Sequence, residues 1–300
     1  MATDFPQGLK ADPRLLAAAA AGCAAVALAL WGFRGLPLGT LVFWLAPLPL
    51  FLAGLGFGPA MAWSAMGLAT LGLLLTVGTA GAAVFAVSAG LPVGLMVSAA
   101  LAGSNPSLET ARPLALLGLW PAAAAVLALG LGPDGLEEIL RAEVGEALAR
   151  SGMETGPDAI APVVRVALAM AAAGLLLPLL LCGIGAQRWL ARRGLALRDT
   201  PRWRAARLPR GYAVLPVLAL ILVWVGPGTG AVGPAVATAL WAPLFLQGLA
   251  VLHGRLRGVP LALFYAVLVV LFVPTAAVVA AIGLFEPFGR PGASGAPPRH

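Results

Sequence analysis

The chain has 300 residues, 60% of them hydrophobic and 10% charged, with a mean hydropathy of +0.95. Soluble domains carry about 25% charged residues, so an ordinary soluble globular enzyme and a disordered chain are excluded, and two cysteines exclude a disulfide scaffold. The net charge is +7, and 18 of the 19 basic residues are arginine. These figures predict an all-α fold, a polytopic helical membrane bundle.

A helix crosses the ~30 Å hydrocarbon core with about 20 apolar residues. The first uncharged run covers residues 15–33, behind Lys10 and Arg14. A secretory signal and a weak lipobox at Ala20-Ala21-Gly22-Cys23 compete for this run. It is long for the first, and too little apolar chain precedes the cysteine for the second, so a retained span is expected. No charged residue occurs from Gly35 to Leu108. That length fits three helices, broken at the glycines of 54–59 and 78–81, the last reaching about Ala102. Pro47 and Pro49 predict a kink or a re-entrant course in the first of these.

Further spans are predicted over 113–131, 162–186, 212–225 (a short one), 232–252 and 260–284. The count is nine, or eight if a short segment fails. They form one integral membrane domain over 1–288. Within it lie an acidic segment at 134–158 and an arginine-rich loop at 187–210. The Gly/Pro/Ser-rich stretch 289–300 is expected to be disordered.

Basic residues are retained in cytoplasmic loops. The loop with Arg188, Arg192, Arg193, Arg198, Arg202, Arg204, Arg207 and Arg210, against one acid, Asp199, is therefore placed inside. Alternation of nine spans also puts the N-terminus, Arg112, Arg255 and Arg257 inside, and puts the region after the ninth span outside. The positive charge is thus a membrane-topology signal, and no nucleic-acid partner is expected. The acidic segment falls outside. Its Leu136, Ile139, Leu140, Val144, Ala147 and Leu148 recur at helical spacing, predicting an amphipathic helix over 135–151 that lies on the membrane surface or packs as a lid against the bundle.

Ionisable residues deep in a span mark function, and this chain has almost none there: Arg34 and Arg165 lie near predicted span ends and can snorkel to the interface. No Asp or Glu falls mid-span, and no His/Cys/carboxylate group has metal-ligand spacing. No catalytic residue, metal or other cofactor is expected, and the chain is not expected to be an enzyme. Gln247 is the most costly uncharged polar residue, an amide inside the eighth predicted span. It needs a partner on a neighbouring helix or a ligand. Together with His253, six residues on, it is the candidate ligand-binding position. Arg202, Arg204 and Arg207 are the candidate contacts to a partner or to anionic lipid.

The stretch Phe245-Leu246-Gln247-Gly248-Leu249-Ala250-Val251-Leu252-His253 is followed by a basic turn, Phe264-Tyr265, an apolar run and Ile282-Gly283-Leu284-Phe285-Glu286-Pro287-Phe288. With Leu208-Pro209 and Trp44-Leu45-Ala46-Pro47-Leu48-Pro49-Leu50, this resembles the YybS-like family of bacterial inner-membrane proteins, a family of unknown function. The resemblance covers most of the chain, and its specific residues cluster in 208–288. This chain departs from the family at Ser104-Asn105-Pro106-Ser107-Leu108-Glu109, which lacks the aromatic often found there. The family's architecture is distantly similar to the substrate-binding membrane subunits of energy-coupling-factor transporters. The resemblance implies a multi-pass protein of the bacterial inner membrane that binds or transports a small solute. The alternative is a non-catalytic accessory or scaffold protein whose arginine loop docks a partner protein.

Overall fold

A computed structural model of the chain describes residues 12–102, 106–129, 136–152, 157–200, 207–209, 211–225, 230 and 232–286. Among the described residues the regular structure is entirely helical. The helices are α1 (Pro13–Phe33), α2 (Gly39–Phe43), α3 (Pro47–Phe57), α4 (Pro59–Phe85), α5 (Leu91–Leu101), α6 (Pro106–Leu129), α7 (Leu136–Arg150), α8 (Pro157–Gly174), α9 (Leu176–Arg192), α10 (Val214–Val225), α11 (Val232–Arg255), α12 (Val259–Val270) and α13 (Phe272–Phe285). Among the described residues five stretches are long and apolar enough to cross a membrane: Pro13–Phe33, Gly39–Phe57, Pro59–Leu101, Ala159–Arg192 and Val232–Arg255. Shorter apolar helices lie at Ala111–Leu127, Val214–Val225, Val259–Val270 and Phe272–Phe285. The chain divides into two compact units, one of Met1–Ser104 with Leu177–Thr200, the other of Asn105–Leu176 with Pro201–His300.

In the first unit, α1 and α4 meet along a seam of small residues. Ala18, Ala21, Ala25 and Ala29 are buried on one face of α1, and Ala62, Ala65 and Ala69 on α4. Without a hydrophobic drive between helices in lipid, such seams hold by close van der Waals packing. A Cβ on Gly22 would stand 3.0 Å from the Ala65 carbonyl oxygen, so glycine is what allows this approach.

Pro59–Leu101 runs 43 residues, about 65 Å if straight, twice the ~30 Å core. It does not run straight. Gly78 sits at φ 81°, ψ −174°, a region open essentially to glycine alone, and the chain folds back there. Trp63 Nε1 consequently donates to Ser98 Oγ at 3.1 Å. Cβ atoms on Gly90 and Gly94 would strike Met66 and the Trp63 ring, the same antiparallel register. Gly58, at φ 106°, ψ 165°, similarly separates α3 from α4. The breaks anticipated at 54–59 and 78–81 fall at these two glycines. Gly78→Ala should therefore destabilise the protein by about 1–3 kcal/mol, read as a lowered Tm in detergent. An unchanged Tm would show that the fold-back needs no glycine there. On the return arm, Ala86–Gly90 widens into a π turn, because Pro92 has no N–H to offer the Ser88 carbonyl.

The second unit is built around α11, which packs against α6, α8, α10 and α13. Ala235, Ala237, Ala239 and Leu240 of α11 share a core with Ala122, Ala172 and Ala219. α10 and the turn before it are tied to α11: Tyr212 Oη donates to the Leu240 carbonyl at 2.9 Å, and Trp241 Nε1 to the Pro216 carbonyl at 3.1 Å. α7 forms where the amphipathic spacing predicts it. Leu140, Val144 and Leu148, four apart, are half-buried, while Ile139 and Ala147 stay exposed. It packs on α8 and α6.

The predicted span ending at 54–59 is split between α2 and α3 by a turn at 44–46, and two later ones are not single helices either. Residues 162–186 are shared between α8 and α9, interrupted at Leu175. Residues 260–284 are shared between α12 and α13, which part at Leu271 (φ −116°, ψ 55°). Pro274 explains the second break, since it lacks the N–H that the Val270 carbonyl would accept from and its ring crowds that carbonyl. The pattern read for the ninth span was apolarity alone, which continues unbroken through both helices.

Candidate functional site

The polar groups of the second unit gather toward one end of α11. Gln247 is 1% exposed, with both ends of its amide engaged. Its Oε1 accepts from the Leu208 backbone N–H at 2.7 Å, and its Nε2 donates to the Gly283 carbonyl at 2.8 Å. Each partner needs it. Residues 207–209 are non-helical, so no helical carbonyl is available to Leu208, which is itself buried. The Gly283 carbonyl would pair in a helix with the N–H of residue 287, which is proline. One side chain thus satisfies two backbone groups that local sequence leaves unpaired, in surroundings where each unpaired group is costly.

α13 comes close enough for this because of two glycines. A Cβ built on Gly283 would overlap the Leu244 carbonyl oxygen, and one on Gly248 would overlap the Val279 carbonyl oxygen. A third glycine does the same on α6, where a Cβ on Gly118 would overlap the Tyr212 hydroxyl and meet the Ala239 carbonyl oxygen at 2.8 Å.

Beyond Gln247 the site becomes charged. Glu286, at the end of α13, lies 3.5 Å from Arg207 and 3.6 Å from Arg255, with its side chain 7% exposed. The arginine side chains are 36% and 67% exposed, so the carboxylate is enclosed and the guanidiniums reach it from the rim. His253 Nδ1 and Tyr265 Oη are 3.0 Å apart, tying α11 to α12 with the rings edge to face.

Of the residues singled out by sequence, Gln247, His253 and Arg207 thus fall on one end of the unit. Arg202 and Arg204 lie outside the described residues, as do 289–300 and Ser104-Asn105. Sequence reasoning quoted Glu286 and Tyr265 only as residues of the family resemblance and gave neither a role. A signal for Glu286 was available: it is the only acid after Asp199, against eight arginines. In the first unit, the arginines at the end of α9 form a separate feature. Arg188, Arg192 and Arg193 are exposed, Arg193 lies 4.4 Å over the Trp189 ring, and Arg198 Nη2 donates to the Leu101 carbonyl at 3.2 Å.

The site offers an amide, a phenol–imidazole pair and a carboxylate between two guanidiniums. Among the described residues no group of three or more His, Cys, Asp or Glu is placed to hold a metal. The long apolar helices and their small-residue seams define the class, a helical multi-spanning membrane protein. No family model, curated protein or solved structure matches the chain.

Proposed function

We propose that this protein handles a small solute in the bacterial inner membrane, in the manner of a transport or solute-binding subunit, with its arginine-rich loops cytoplasmic. The observation that carries this reading is the backbone of the second unit. Residues 207–209 and 211–213 are not α-helical, yet they lie beside α11 between Gln247 and Leu240. α12 and α13 are broken at Leu271 between two apolar helices. Irregular backbone at membrane depth persists only where protein buries it or where it lines a watery cavity, and broken helices are a recurring frame for solute sites. The resemblance to the YybS-like family, and through it to energy-coupling-factor subunits, points the same way by analogy of architecture. On this reading the protein is not an enzyme, binds no cofactor and no nucleic acid, and its partners are the bilayer and a small solute.

The test is water access. With Cys23 and Cys182 replaced by alanine, single cysteines at Gly211 and Ala213 should react with a charged, membrane-impermeant thiol reagent added in water. Protection of both would remove the solute path and favour the alternative, an accessory protein that docks a partner through Arg202, Arg204 and Arg207.

A further inference from the structure

We infer that residues 259–286 make no crossing of the membrane: α12 and α13 form a re-entrant hairpin that enters and leaves on the arginine-rich side. Two ion pairs carry this. Arg255 ends α11, immediately before the hairpin, and Glu286 follows its last helix, yet their side chains stand 3.6 Å apart. The two side chains together bridge at most about half of the ~30 Å core, so the segment between them returns close to its starting point.

Arg207, on the chain entering α10, is also 3.5 Å from Glu286, which places a third strand of the chain at the same end. The helix lengths agree. α12 has 12 residues and α13 has 14, about 18 and 21 Å at 1.5 Å per residue, each too short to cross. The turn between them is Leu271, where Pro274 stops the helical ladder. α13 then returns along α11 through the Gly248 and Gly283 contacts. At its exit Glu286 is the latch, a buried carboxylate held by guanidiniums from two other segments.

The chain then leaves α13 on the side from which it entered α12, so the ninth crossing expected from sequence is absent. The inference concerns topology alone and stands whether or not the unit carries a solute.

It is tested in the full-length chain with Cys23 and Cys182 replaced by alanine. Single cysteines at Arg257 and at Arg299 are exposed to a membrane-impermeant maleimide in intact spheroplasts and in inside-out vesicles, with full reactivity of both confirmed in SDS. Both positions should label in inside-out vesicles and neither in spheroplasts. Any other pattern overturns re-entry from the arginine-rich side. The latch has its own arm. Glu286→Gln and Arg207→Gln should each lower the Tm by a few degrees, and the double variant should melt no lower than the worse single. Additive shifts would show that the two side chains do not act together.

Discussion

Gly283→Ala is expected to lower the stability of the protein by about 3 kcal/mol or more, roughly 10 °C in Tm. The added methyl overlaps the Leu244 carbonyl oxygen and crowds the Gly248 backbone N–H at 2.9 Å. Both are backbone of a facing helix, so no rotamer change relieves the clash, and α11 and α13 have to separate. Separation also strains the bond from Gln247 Nε2 to the Gly283 carbonyl. Gly248→Ala should behave alike, since it meets the Val279 carbonyl from the other side. Gly185→Ala is the control. That glycine lies within α9, and a Cβ there meets nothing within 4 Å, so the change should be neutral or stabilising by up to about 1 kcal/mol. Thermal melts in one detergent compare the three. A Gly283→Ala protein melting with the parent would mean that α11 and α13 do not touch at Gly283.

Gln247→Leu is the second large effect. Leucine fills similar volume but leaves the Leu208 N–H and the Gly283 carbonyl without their partner, both in buried surroundings. At about 1–3 kcal/mol for each of the two orphaned groups, the loss is about 2–6 kcal/mol. Gln247→Glu separates the two bonds. An ionised or protonated carboxyl still accepts from Leu208, but when ionised it faces the Gly283 carbonyl with no donor, so a large penalty should remain. A residue serving only a solute would behave otherwise: Gln247→Leu would keep the parent Tm and lose ligand-induced stabilisation alone. A parent-like melt for Gln247→Leu would therefore return Gln247 to the solute.

The cost of an amide in an apolar run made Gln247 stand out from sequence, and that cost is what the structure offsets. Its partners were out of reach of sequence because Leu208 and Gly283 lie 39 and 36 residues away, and nothing local selects them. Glu286 shows the same limit. A lone acid at the end of an apolar run reads as an interfacial charge until Arg207 and Arg255 are brought beside it. Gly248 and Gly283 matter because each faces a backbone carbonyl of the other helix, which no spacing within one helix reveals.

Sequence by itself determined the class of protein, the small-residue composition of its helices and the places where the chain breaks at Gly58 and Gly78. Those are local properties: apolar length sets whether a segment prefers lipid, and a residue without a Cβ sets where the backbone can turn. Only the tertiary structure decided that the final apolar run turns back at Leu271 and that one glutamine serves two backbone groups. The physical reason is that apolarity measures how well a segment dissolves in lipid, and it carries no direction. Whether such a segment crosses or returns depends on what holds its far end, here a carboxylate caught by two arginines from elsewhere in the chain.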